Sequence, residues 1–257
     1  MPIHLETEGG VGVVTIDNPP ANAYDVSVLR ELQDVIGRIR DDGAIRSVVL
    51  RSASEKFFSA GADISTLQNS NAAQFGDLLT IAHETTLAME NTPKIFIAAI
   101  AGHAMGGGLE LALACDFRFA CVGGYKLGLV EINLGLNPAM GGTQRLPRLI
   151  GRSKALHMIV SGETLSPEAA RDWGVVDRLI EADRFMDEVM DYAGRLARGP
   201  SRAQGLAKLS INKGMESGFA EAMSLERAHQ MTLFHSDDAA EGVSAFLEKR
   251  AAAFKGL

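Results

Sequence analysis

Little in this chain is built for crosslinking, for membranes or for polyanions. Of 257 residues only two are cysteine, Cys115 and Cys121, and they carry no partner motif. That excludes a disulfide framework and points to two buried free thiols in a reducing compartment. Basic charge is short: 25 Lys and Arg face 32 Asp and Glu, a net charge of -7. Such a balance argues against a surface that neutralises many nucleic-acid phosphates, although one phosphorylated small molecule needs only a local positive site. The longest mainly apolar run, Ile95–Met105, is about half a membrane span and contains His103. No basic stretch followed by an apolar one opens the chain, so no secretory signal is expected. We expect a protein that is soluble and cytoplasmic, with neither a membrane nor a nucleic acid as partner. There is no Gly-Lys dipeptide, hence no phosphate-binding P-loop, and no Gly-x-Ser-x-Gly. His83-Glu84 lacks a second His at metalloprotease spacing, and the six His form no ligand cluster, so no metal is expected.

What is present is an ordinary globular composition, 46% hydrophobic and 22% charged, which excludes disorder. At this length a core needs neither disulfides nor metal. Glycine is the exception. Of 27 glycines, 11 fall between Gly102 and Gly151, with no fixed period. Something there needs backbone that turns tightly or is closely approached.

Periodicity predicts a hairpin, Ile3–Glu8 and Val11–Asp17, around Gly9-Gly10, ended by Asn18-Pro19-Pro20. Helical spacing of Val28, Leu29, Leu32, Val35, Ile36 and Ile39 predicts a helix from Val26 to Ile39 with Asp25 as N-cap. Buried strands are expected at Arg46–Leu50, Ile95–Ala101 and Phe117–Ala120, with helices over Ala72–Glu90 and Leu109–Ala114. Phe57–Ile64 reads as a loop around Gly61, and Thr66–Phe75 as a loop able to gate a pocket. Beyond Thr143 the pattern is almost wholly helical, apart from Val175–Ile180. Strands alternating with helices imply an α/β unit with a mostly parallel sheet. We divide the chain into an α/β core, residues 1–195, and a helical C-terminal region, residues 196–257.

Three stretches carry chemistry. In Gly102–Asp116 a strand end meets Gly106-Gly107-Gly108 and then a helix start. The first amides of a helix lack internal acceptors and sit at the positive end of its dipole, so they can bind an anion or a developing oxyanion. Glu110 lies in that first turn; a plain acidic residue favouring the dipole is the alternative. In Leu129–Thr143, Glu131 stands between Val130 and Ile132. Apolar surroundings raise a carboxyl pKa toward the range of a general acid at neutrality; a surface Glu at a strand end is the alternative. In Ser54–Ile64 a Gly-containing turn can present a second amide, or can be an ordinary loop. Glu110 and Glu131 are 21 residues apart, and spacing alone does not bring them together.

In this order the stretches resemble the enoyl-CoA hydratase (crotonase) family, within the enoyl-CoA hydratase/isomerase superfamily. The resemblance covers nearly the whole chain. It extends to Asn18-Pro19-Pro20-Ala21-Asn22-Ala23, Phe58–Asp63, Glu131–Arg145, Ser161-Gly162-Glu163, Gly174-Val175-Val176 and Glu241–Arg250. It implies an α/β, crotonase-like (ClpP/crotonase) fold of repeated ββα units with a helical C-terminal trimerisation region. It implies a homo-oligomer, trimer or dimer of trimers, acting on an acyl-CoA thioester; CoA is part of the substrate and no further cofactor is implied. By the same resemblance, the amides of Ala60 and Gly107 form the oxyanion hole, and Glu110 and Glu131 are the catalytic pair. Ala62, Asp63 and Ile64 line the CoA site, supported by Ala21 and Ala23, while Phe246 and Lys249 reach the adenine end from a neighbouring subunit. Met105, Gly106 and Val130 are expected along the substrate pocket, with Leu136 and Met140 beside the acyl chain.

The implied reaction is addition of water across C2=C3 of a 2-enoyl-CoA. Glu131 would protonate C2 and Glu110 would hold and activate the water. Two departures stand out. Ser65 replaces a lysine common in relatives, and Lys56 is a candidate substitute. Ala139 and Met140 follow Pro138 where glycine is usual, which would strain Ala139 if its φ were positive. His103, where an aromatic is frequent, is expected to be a packing or loop residue. An enoyl-CoA double-bond isomerase or another acyl-CoA lyase is the nearest alternative. A non-catalytic RNA-binding member is the alternative from another class, against which the charge weighs.

Overall fold

Ile3–Glu8 (β1) and Val11–Ile16 (β2) pair antiparallel around Gly9-Gly10, as the alternation predicts. After the short strand Ala23–Tyr24 (β3) comes the helix Val26–Asp41 (α1). The Asp25 side chain caps it by accepting from the Val28 amide, and the six apolar positions read from the sequence are its buried face. The computed structural model describes residues 1–256.

A strand–strand–helix pattern then repeats. Ser47–Ser52 (β4) is followed by Phe57–Ser59 (β5), Gly61–Ala62 (β6), and the helices Ile64–Asn69 (α2) and Ala72–Asn91 (α3). Ile95–Ile100 (β7) is followed by His103–Met105 (β8) and Gly107–Leu113 (α4). Phe117–Cys121 (β9) is followed by Leu127–Gly128 (β10), a 3-10 turn at Glu131–Leu134, and Gly142–Ile150 (α5). The first strand of each repeat joins a six-stranded sheet, and the second joins a three-stranded sheet ordered β10-β8-β5. The large sheet runs β1-β2-β4-β7-β9 and ends on Arg178–Ile180 (β11); every pair after the hairpin is parallel. Arg152–Ser161 (α6) and Pro167–Trp173 (α7) precede β11.

Alternate residues of the parallel strands serve two cores. Val14, Val48, Leu50, Phe96, Ala98 and Ile100 face α1, α3 and α4. Val13, Val49, Ile97 and Phe119 face Phe185–Arg198 (α8) through its Val189, Ala193 and Ala197. Burial on both faces is why these strands read as continuous apolar runs.

Two expected loops are ordered elements. Phe57–Ile64 holds β5, β6 and the start of α2; strands of two or three residues are too short to display a period. Thr66–Phe75 is the end of α2 and the first turn of α3, which Asn71 and Gln74 close with a capping box. The division drawn at residue 195 falls inside α8, whose Ala197 is buried against the sheet. The next helix, Ser201–Gly214 (α9), is also tied to the core. Its buried Lys208 ammonium donates to the carbonyls of Met89 and Lys94 and to the Asp116 carboxylate, at 2.8–2.9 Å. Phe219–Phe234 (α10) buries no residue, and Asp237–Glu248 (α11) buries only Asp238 and Ala245. Among the described residues no helix is long and apolar enough to cross a membrane.

Candidate active site

The repeat brings the start of α4, strand β6 and the segment before α5 to one cavity of about 460 Å³, bounded on a further side by α2 and α3. Every residue of α4 is buried. Glu110, in its first turn, is 2% exposed, and its Oε1 accepts from the amides of Met140 and Gly142, both at 2.7 Å. These bonds fix the carboxyl's direction. Burial raises its pKa above the ordinary carboxyl value, against the lowering pull of those amides and of the Arg145 charge. Arg145 is itself held by a bidentate pair with Glu90, both contacts at 2.7 Å, and donates to the Met140 carbonyl at 2.7 Å.

Glu131 opens the 3-10 turn rather than ending a strand. Both its carboxyl oxygens are buried and neither has a hydrogen-bond partner among the described residues. Burial, reinforced by the neighbouring Glu110, pushes its pKa up to about 7, although its own backbone amide opposes the shift. The two glutamates therefore meet at one cavity, one anchored and one unpaired.

The amides need a correction. The Ala60 N–H, expected in the oxyanion hole, donates to the Ala21 carbonyl at 3.0 Å and is not available to a ligand. The Asp63 amide is likewise turned to β3, donating to the Tyr24 carbonyl at 2.9 Å. In the parallel β3–β6 ladder, where Asp63 donates to Tyr24, the adjacent Ala62 amide points the other way. The start of α4 packs against this strand. Gly61, at φ +87°, packs so closely that a Cβ there would stand 2.9 Å from the Gly107 nitrogen. Gly107 is the first residue of α4, where an amide has no acceptor inside the helix.

The other expected residues divide in two. Ala60, Ala62, Ile64, Gly106, Gly107 and Val130 line the cavity with the two glutamates, as do Leu136 and Met140. Ala21, Ala23, Lys56, Asp63, Met105, Phe246 and Lys249 do not. Ala23 pairs with Gly61 in the β3–β6 ladder. The Asp63 carboxylate caps α2, accepting from the Thr66 amide at 2.8 Å and the Ser65 hydroxyl; these bonds, Ser65's first, hold its pKa low. Lys56 lies over the Phe57 ring at 5.5 Å. Met105 ends β8 and pairs with Gly128. Phe246 is 84% exposed on α11, and Lys249 is that helix's left-handed C-cap. His103 accepts from the Lys126 amide at 3.1 Å and packs against Phe57, a loop-fixing role. Ala139 carries no left-handed strain, since among the described non-glycine residues only Asn22 and Lys249 have positive φ.

Sequence reasoning missed Tyr24, Leu78 and Leu79, while Leu67 and Phe75 fall in the Thr66–Phe75 stretch expected to gate the pocket. A wall made by two helices has no motif, and Tyr24 sits in a strand of two residues. Among the described residues no group of three His, Cys, Asp or Glu side chains converges to hold a metal ion.

Comparison with known proteins agrees with this geometry. A family model described as enoyl-CoA hydratase/isomerase matches residues 6–257. The chain is 36% identical over 253 residues to a crotonyl-CoA hydratase of Syntrophomonas wolfei, covering 98% of this chain and 97% of that one. It is 35% identical over 247 residues to a short-chain-enoyl-CoA hydratase of Clostridium acetobutylicum, covering 96% and 94%. Among solved structures, an enoyl-CoA hydratase of Bacillus anthracis superposes with a TM-score of 0.95 at 34% identity over the full length of both chains. The chain belongs to the enoyl-CoA hydratase/isomerase family and has its crotonase fold.

Proposed function

We propose that this protein is an enoyl-CoA hydratase, adding water across the C2=C3 bond of a 2-enoyl-CoA thioester to give a 3-hydroxyacyl-CoA. One observation carries the reading: an anchored and an unpaired glutamate share an apolar cavity with the first amide of α4. The thioester carbonyl is placed at the amides of Gly107 and Ala62, which receive the negative charge that develops on its oxygen. One such donor contributes about 3 kcal/mol to the barrier reduction. Glu110 keeps one oxygen on the Met140 and Gly142 amides and offers the other to water. Glu131, half protonated near pH 7, delivers a proton to C2. Two carboxyls whose surroundings differ in this way divide the acid and base roles.

The relatives' names, crotonyl-CoA hydratase and short-chain-enoyl-CoA hydratase, support a short acyl chain. The exposed apolar residues of α10 and α11, Phe219, Phe234, Phe246 and Leu247 among them, support a homo-oligomer, trimer or dimer of trimers. In such an assembly Phe246 and Lys249 would meet a neighbour's CoA. The direct test is loss of enoyl absorbance when purified protein meets crotonyl-CoA. Isomerisation of a 3-enoyl-CoA with no hydration would instead establish the isomerase reading.

A further inference from the structure

Of the cavity-lining polar side chains that the reaction above leaves unused, Asn133 and Asn137 are exposed and Tyr24 is buried. It is 6% exposed, so its ring belongs to the core while its hydroxyl ends at the cavity. That hydroxyl has one polar partner among the described residues, the Met140 sulfur at 3.4 Å. A thioether is a weak acceptor, and a buried phenol normally finds a stronger one. Neither glutamate supplies it, for no hydrogen bond joins Tyr24 to either carboxyl. Both are nonetheless near enough for their charges to raise the Tyr24 pKa, behind the larger effect of burial, so the phenol keeps its proton and acts only as a donor to a strong acceptor.

The hydroxyl's position narrows what that acceptor is. It rests against Met140, whose amide is one of the two that hold Glu110. It also passes so close to Gly107 that a Cβ there would stand 1.7 Å from it. The thioester oxygen already has two amide donors. A water lying between Glu110 and Glu131 gives its hydrogens to their carboxyl oxygens and, with the Glu131 proton directed to C2, has no donor of its own.

We propose that the Tyr24 hydroxyl donates a hydrogen bond to the oxygen that joins C3, the attacking water in hydration and the 3-hydroxyl of the product, and so selects for a 3-hydroxyacyl group. This rests on the hydratase reading and adds a residue to it. In hydration the C3–O bond forms with a lone pair of the water. One water proton passes to Glu110, C2 takes the proton of Glu131, and transfer from Glu110 back to Glu131 resets the pair. Tyr24 keeps its proton throughout. In the reverse direction it stabilises the departing hydroxide.

The test uses Tyr24→Phe, which removes one oxygen and keeps the ring. Turnover is silenced with Glu131→Gln, and affinities for 3-hydroxybutyryl-CoA and butyryl-CoA are compared with and without the Tyr24 change. We expect affinity for the hydroxylated ester to fall about five- to tenfold and that for butyryl-CoA to stay the same. With Glu131 intact, Tyr24→Phe lowers kcat for crotonyl-CoA about tenfold at unchanged KM. Equal weakening of both esters would overturn the proposal, since it places the hydroxyl on the thioester or in packing alone. An unchanged affinity ratio would overturn it as well. If the unmodified protein fails to hydrate crotonyl-CoA, the hydratase reading fails first, and the two failures are distinct.

Discussion

Glu110 and Glu131 are the same side chain with different surroundings. Glu110 is pinned by two backbone amides; Glu131 has both oxygens buried without a partner. Replacing either by Gln should lower kcat for crotonyl-CoA by about 10²–10⁴-fold while circular dichroism stays native. The pKa near 7 adds a pH signature. If Glu131 is the proton donor, kcat falls as pH rises through about 7, and stopped-flow hydration rates across pH 5–9 on the order of one unit per step would show it. The same shift bears on stability. The fold binds the Glu131 proton more tightly than the unfolded chain does, so the stabilisation is full below the ordinary value of 4.5 and is lost as pH rises toward 7. Thermal melts of Glu131→Gln should lack that loss. The sequence made both glutamates legible, because each sits in a marked glycine or apolar context. The Ala60 amide, expected as a donor, is instead taken by the Ala21 carbonyl. Which way an amide points depends on which strand its neighbours pair with, and β3 and β6 are too short to show that in sequence.

At the scale of elements, α4 decides the site. A seven-residue helix buried along its whole length has no solvent-facing side on which to absorb a change. A Cβ at Gly108 would lie 2.2 Å from the Ser59 carbonyl oxygen, which is backbone and cannot rotate away. Gly108→Ala should therefore push α4 off β5, moving the Gly107 amide with it. We expect activity to fall more than 10²-fold, because a displacement of about 1 Å at a catalytic donor has that effect. A lower melting temperature should accompany it; full activity would show that α4 has room. Long amphipathic and doubly buried elements, such as α1, α3 and β7, were read nearly to their ends, because a period repeated over several turns is a strong local signal. Periodicity did not mark the second strand of each repeat, which the family resemblance alone implied, since β5, β8 and β10 are two or three residues long and form a sheet only with one another.

For the whole molecule, α10 and α11 leave apolar side chains uncovered while α9 is pinned inside by Lys208. Exposed apolar area of this kind marks an association surface. Light scattering after size exclusion should give a multiple of the 27.4 kDa chain. Phe234→Asp, at a residue 70% exposed in the single chain, should shift the population toward monomer, whereas an unchanged mass would place the contact elsewhere. Composition, period and glycine placement determined the α/β class and the order of the main elements and singled out Glu110 and Glu131 as candidates, because each is written in local spacing. Only the tertiary structure decided that Glu110 and Glu131 share a cavity, which amides remain free beside them, and that the Tyr24 hydroxyl ends against Met140 and Gly107. Those are outcomes of strand pairing and close approach between residues far apart in the chain, and no local pattern encodes them.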